Sequence, residues 1–236
     1  MNTALRQQLA GRLAAVEERL GAACARAGRR RDEVTLVAVT KTVPAEVAAL
    51  LPGLGVGDLG ESRPQELWRK AAAIPAARWH LVGHLQRNKV ERTVPLVACI
   101  HSVDSLRLLE AVEAACAGAG RTLPVLLEVN ASGEAAKHGF APAEVPGLAA
   151  AIRSLRHARV EGLMTMAAYE EDPQRCRPTF AALRHWRDTL RGELGPGALP
   201  QLSMGMSNDF EVAVEEGATM VRLGTVLFEG LSGGGA

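Results

Sequence analysis

Leucine and valine recur every three or four residues through Leu5, Leu9, Leu13, Val16 and Leu20, which predicts a long helix with one apolar face. Gly28 is placed to end it. Beyond that point the period changes. Short apolar runs stand at 34–39, 55–59, 79–82, 97–101, 125–129, 160–164, 202–204 and 220–223. Helical stretches separate them at 44–51, from 64, at 86–92, 105–117, 143–155, 177–190 and 209–216. Short buried strands alternating with helices argue for a parallel sheet. Eight such units predict an α/β chain, a single (β/α)8 TIM-type barrel with an extra N-terminal helix. An open, doubly wound sheet has the same order along the chain and stands as the alternative. Roughly a dozen residues follow the last run, too few for a full eighth helix. The N-terminal helix (1–28) is therefore expected to occupy the vacant place in the outer ring. The chain, 1–236, is expected to be one domain, with 231–236 a flexible Gly-rich tail.

Composition narrows the function classes. With 27 Lys+Arg against 26 Asp+Glu the formal net charge is +1, which leaves no electrostatic footprint for nucleic acid. Arg29, Arg30 and Arg31 read as a solvated turn. The four cysteines, Cys24, Cys99, Cys116 and Cys176, are widely spaced and form no C-x-x-C pair, so they read as reduced thiols of a cytoplasmic protein without a zinc framework. No run approaches the roughly 20 apolar residues of a membrane span, and the N-terminus lacks a signal-peptide pattern. No membrane partner is expected.

In a barrel the chemistry gathers where strands end and the following loops begin. Lys41, after Val39-Thr40, is the residue there that can carry covalent chemistry. Partly desolvated on an apolar strand, its amine would be freed as a nucleophile for a carbonyl; a lysine snorkelling from the rim is an equal reading. The seventh and eighth strand ends look like a phosphate cradle. Ser207 can cap the helix near Asp209, Gly205 lets the backbone come close, and Gly224-Thr225 add N–H and hydroxyl donors. The G-x-G-x-x-G match at 55–60 lies within a predicted strand, so it is not read as a dinucleotide site. His80 and His84 read as rim or core histidines, and no metal is expected. Met164, Met166, Met204 and Met206 read as barrel packing.

Ala-Val-Thr-Lys41-Thr, Ser-Met-Gly-Met-Ser207-Asn-Asp and Met-Val-Arg222-Leu-Gly-Thr resemble the pyridoxal phosphate homeostasis proteins, single-domain relatives of the N-terminal barrel of alanine racemase. Gly60-Glu61, Gln65-Glu66, Trp79-His80, Gly83, Leu85-Gln86, Asn88-Lys89, Asn130, Lys137, Gly139 and Gly162-Leu163-Met164 extend the resemblance over nearly the whole chain. It implies pyridoxal 5'-phosphate as cofactor, held as an internal aldimine on Lys41. It also implies that Ser207, Gly224 and Thr225 hold the phosphate, that Arg222 faces the pyridine nitrogen, and that His80, Asn130 and Met164 are further cofactor contacts. Lys137 would be a second, weaker contact. An arginine at the ring nitrogen disfavours the pyridinium and weakens carbanion stabilisation. The racemase's second domain and its opposing tyrosine have no counterpart here; the one tyrosine is Tyr169, in a predicted loop.

The resemblance therefore implies a cofactor-supply and amino-acid-balance role without established turnover. Pyridoxal phosphate-dependent apo-enzymes would be its partners, and the chain would be a monomer. A slow racemase or lyase is the first alternative; a Schiff-base aldolase acting on a sugar phosphate is the second. Two residues depart from the family pattern. Ser62 stands where the family has Asn, and Phe228-Glu229 where it has Phe-Gly.

Overall fold

The computed structural model describes residues 2–131 and 138–231. Eight parallel strands close into a barrel in chain order. They are β1 (Thr35–Val39), β2 (Asp58–Glu61), β3 (Arg78–Leu81), β4 (Cys99–Val103), β5 (Leu123–Glu128), β6 (Ala158–Met164), β7 (Gln201–Ser203) and β8 (Met220–Leu223). Closure comes from β8 pairing with β1, Thr35 opposite Met220 and Ala38 opposite Leu223. The open-sheet alternative is thereby excluded.

The helices α1 (Asn2–Arg26), α2 (Ala45–Ala48), α3 (Pro64–Ala73), α4 (Val90–Thr93), α5 (Leu106–Gly118), α6 (Leu148–Ser154), α7 (Arg177–Leu194), α8 (Phe210–Glu215) and α9 (Thr225–Phe228) surround the barrel. The apolar face of α1 is buried at Leu9, Leu13, Val16 and Leu20. It packs against α8 and α9, as the vacant place in the ring requires. Ion pairs flank this contact, Arg19–Glu211 at 2.6 Å and Arg26–Glu215 at 2.7 Å, and the Arg19 guanidinium lies 4.6 Å from the Phe210 ring centroid. Gly28, at φ 64°, turns the chain out of α1.

Three expected boundaries move for local reasons. The second strand begins at Asp58, because Gly55, at φ 89°, belongs to the turn that ends the 3-10 segment Pro52–Leu54. The expected helix at 86–92 is a 3-10 turn, Arg87–Lys89, followed by the single turn of α4. The one at 143–155 starts as the 3-10 segment Pro142–Gly147, with Pro146 inside it, before α6.

The core has two parts. Most apolar residues pack between barrel and helices. A small cluster of Cys99, Leu126 and Met164, with Met220 against it, packs separately from that shell. All four cysteines are buried thiols. Leu231 is packed into the core; 232–236 lie outside the described residues. Among the described residues no helix is long and apolar enough to cross a membrane.

Candidate functional site

At the C-terminal end of the barrel a cavity of about 610 Å³ is lined by Lys41, Ser62, Arg222, Ser207, Gly224, Thr225 and Glu229, with Val39, Val82, Met166 and Val226 among its apolar walls. Its volume suits a small organic ligand.

Lys41 lies two residues beyond the end of β1, in a turn, and it is exposed. The expected desolvation on a strand is therefore absent. What holds its position is the residue before it. Lys70 of α3 reaches through the wall and donates to the Thr40 carbonyl at 2.7 Å and to Glu61 Oε2 at 2.6 Å. The two charged side chains are 2% and 1% exposed. Glu61 also accepts from the Ser62 N–H at 2.8 Å, so one buried ion pair ties together the ends of β1 and β2. Lys70 was not singled out in the sequence. Its signal was position: it shares the buried face of α3 with Leu67 and Ala71.

The cradle forms differently from the expected capped helix. Ser207 does not cap α8. Its hydroxyl accepts from the backbone N–H groups of Gly224 (3.3 Å) and Val226 (3.2 Å). Asp209 closes the preceding loop instead, accepting from the Met206 N–H at 2.6 Å. Two N–H donors thus converge on the Ser207 oxygen, which gathers N–H groups and a hydroxyl at one wall of the cavity, the donor chemistry that an anion takes. Two glycines permit this. A Cβ on Gly224 would lie 3.2 Å from the Val39 carbonyl oxygen, and one on Gly205, at φ 93°, would lie 2.6 Å from Ala213 Cβ. The donors, the facing amine and the apolar walls fit a flat molecule bearing both a phosphate and a carbonyl.

Arg222 projects from β8 below this cavity and is 4% exposed. It donates to Ser203 Oγ at 2.6 Å and to the Thr165 carbonyl at 2.9 Å. Burial lowers its pKa to about 10, while Asp209 and Glu128 pull it back up. Glu128, at the end of β5, is a residue the sequence reading passed over, although it is an acid closing an apolar strand. Burial first, and then Asp104, push its pKa up to about 7.

His80 and Met164 are buried in the barrel and are not among the cavity-lining residues. Met164 packs with Cys99 and Leu126. His80 bonds to His101 (2.8 Å) and to Asp58 (2.8 Å). Asn130, half-buried after β5, donates its backbone N–H to the Phe140 carbonyl and is likewise not part of the lining. His84 lies at the rim, 3.0 Å from Asp104 and stacked on His138 at 4.7 Å. Tyr169, 81% exposed, stands at the cavity lip. Lys137 lies outside the described residues. Ser62 and Glu229, the two departures from the family pattern, both line the cavity.

Comparison with known proteins agrees with this geometry. The family model described as the N-terminal domain of alanine racemase matches residues 12–232. A relative from Aquifex aeolicus, "Pyridoxal phosphate homeostasis protein", is 43% identical over 219 residues, covering 92% of this chain and 96% of that protein. A protein of unknown function from Bifidobacterium adolescentis superposes with a TM-score of 0.89 at 36% identity, covering 97% of each chain. PipY of Synechococcus elongatus, solved with PLP bound, superposes with a TM-score of 0.81 at 32% identity, covering 93% of this chain and 99% of that one.

Proposed function

The chain belongs to the pyridoxal phosphate homeostasis protein family, and we propose that it binds pyridoxal 5'-phosphate in the barrel-mouth cavity and serves the cell's supply of that cofactor. The observation that carries this reading is one cavity holding an exposed lysine amine, an N–H and hydroxyl cradle, and a buried arginine. The bound cofactor would supply an aldehyde with which an amine condenses reversibly, losing water. In this reading Lys41 provides that amine and Ser207, Gly224 and Thr225 hold the phosphate. Val39, Val82 and Val226 flank the ring, and Arg222 stands at its nitrogen. As the resemblance implies, His80, Asn130 and Met164 would act from outside the immediate lining.

A guanidinium at that nitrogen opposes ring protonation and so works against catalysis that needs an electron sink. The role therefore favours holding and releasing the cofactor, in the cytoplasm and as a monomer, over turning over an amino acid. Tyr169 at the lip is the feature that would serve a slow racemase. Two assays separate the roles. Protein loaded with pyridoxal phosphate should reactivate an apo-enzyme that requires it, faster than the same concentration of free cofactor does. It should also leave the α-proton of added amino acids unexchanged in deuterated water. Rapid exchange with no gain in reactivation would reverse the assignment.

A further inference from the structure

A chain of hydrogen bonds crosses the barrel interior from Arg222 to the opposite end. Arg222 Nη1 lies 2.6 Å from Ser203 Oγ, which lies 2.8 Å from His101 Nδ1. His101 Nε2 lies 2.8 Å from His80 Nδ1, and His80 Nε2 lies 2.8 Å from Asp58 Oδ1. Four strands besides β8 contribute, and Ser203, His101 and His80 are all at most 1% exposed. Asp58 opens β2 at the base of the barrel, beside the exposed Arg78 at 3.4 Å.

The chemistry of the two ends, with one proton on each imidazole, sets the direction of the bonds between them. A guanidinium only donates and an ionised carboxylate only accepts. Ser203 takes a bond from Arg222 and, with one proton on each imidazole, passes its own hydrogen to His101 Nδ1. That leaves His101 to donate from Nε2 to His80 Nδ1, and His80 to donate from Nε2 to Asp58. In that state the two imidazoles share one tautomer, and all four bonds run in one direction. Burial first, and then His80 and Arg222, hold the His101 pKa well below its ordinary value. Burial tends to raise the Asp58 carboxyl, but the His80 bond and Arg78 hold it below the usual range.

We infer that Asp58, His80, His101 and Ser203 form a one-way relay that orients Arg222 from the far end of the barrel, making all four positioning residues for the ring that Arg222 faces. Asp209 and Glu128 act on Arg222 through space; Asp58 acts on it only through this chain. Aligned bonds of this kind polarise one another. Ser203 and the Thr165 carbonyl take one donor each from Nη1 and Nη2, which leaves the remaining guanidinium N–H groups for the cavity. The inference rests on the proposed cofactor site only for what Arg222 faces.

The test has two readouts. In cofactor-free protein, long-range ¹H–¹⁵N spectra should show His80 and His101 neutral and protonated at Nε2. Asp58→Asn, a conservative change remote from the cavity, should move the ¹⁵N resonances of His80, His101 and Arg222 together. It should also shift the absorption maximum of added pyridoxal phosphate. Ser203→Ala should weaken cofactor binding about tenfold, the scale of one buried bond to a charged group. A charged imidazole, an Nδ1–H tautomer, or an Asp58→Asn response confined to His80 with the Arg222 resonances unmoved would overturn the relay. Wild-type protein showing both Nε2–H tautomers but no cofactor band would support the relay and sink the cofactor reading.

Discussion

Replacing Lys70 with methionine removes the cation from a pair whose charged atoms are 2.6 Å apart and whose side chains are 2% and 1% exposed. Methionine fills most of the lysine volume, so the cost is electrostatic rather than a cavity. It leaves the Glu61 carboxylate buried without its counter-charge and the Thr40 carbonyl without its donor. Breaking one side of such a pair costs about 3–5 kcal/mol, a large share of the roughly 5–15 kcal/mol that holds a domain together. With a urea m-value of about 2–3 kcal/mol/M, the unfolding midpoint should fall by roughly 1–2 M. Adding Glu61→Gln removes the stranded charge while keeping an acceptor for the Ser62 N–H. The double variant should therefore be less destabilised than the sum of its singles, by about 1–3 kcal/mol. Both unfolding and cofactor affinity should be followed, because the clamp acts on the carbonyl next to Lys41. A Lys70→Met cost below about 1 kcal/mol, or singles that simply add, would refute the argument that this buried pair fixes the strand ends.

Other consequences are simpler to read. The Glu113 carboxylate accepts from the backbone N–H groups of Arg156, His157 and Ala158. Burial opposes its ionisation, but these bonds and His157 hold its pKa down to about 2. Its stabilisation is therefore complete above about pH 4.5 and lost as the pH falls towards about 2. Glu113→Gln should cost about 1–3 kcal/mol at pH 7 and little near pH 2, in denaturant titrations at both. Glu229 brings a carboxylate to the cavity that holds the cradle, so Glu229→Gln should tighten binding of pyridoxal phosphate about two- to threefold at low salt, an advantage that shrinks at high salt. Gly205→Ala must hold φ 93° with its Cβ 2.6 Å from Ala213 Cβ, and should lower stability by about 2–4 kcal/mol in thermal unfolding.

The barrel was legible because each strand is a short apolar run ending in polar residues, and each helix has its own period. The place of α1 could be read from the shortage of chain after β8. Closure could not, since order along a chain does not say whether β8 meets β1. At the site, Lys41, Ser207, Arg222, Gly224 and Thr225 were recognisable and the structure gathers them around one cavity. Their supports were not. Ser207 pairs with N–H groups seventeen and nineteen residues away, a contact that only the fold creates. His80 and His101 face inward on neighbouring strands, and a strand's alternation does not tell a barrel's interior from its outer shell. Lys70 sits on a helix face that would ordinarily be apolar, and its reason is a carboxylate on another element.

The central claim is that Lys41 and the cradle together hold pyridoxal phosphate, and the visible absorption spectrum tests it most directly. Wild-type protein mixed with the cofactor should develop the band of a lysine-bound aldehyde, and borohydride should bleach it. Lys41→Ala should retain the fold, bind the phosphate weakly and show no such band. An identical band in Lys41→Ala, or none in wild type, would contradict the account.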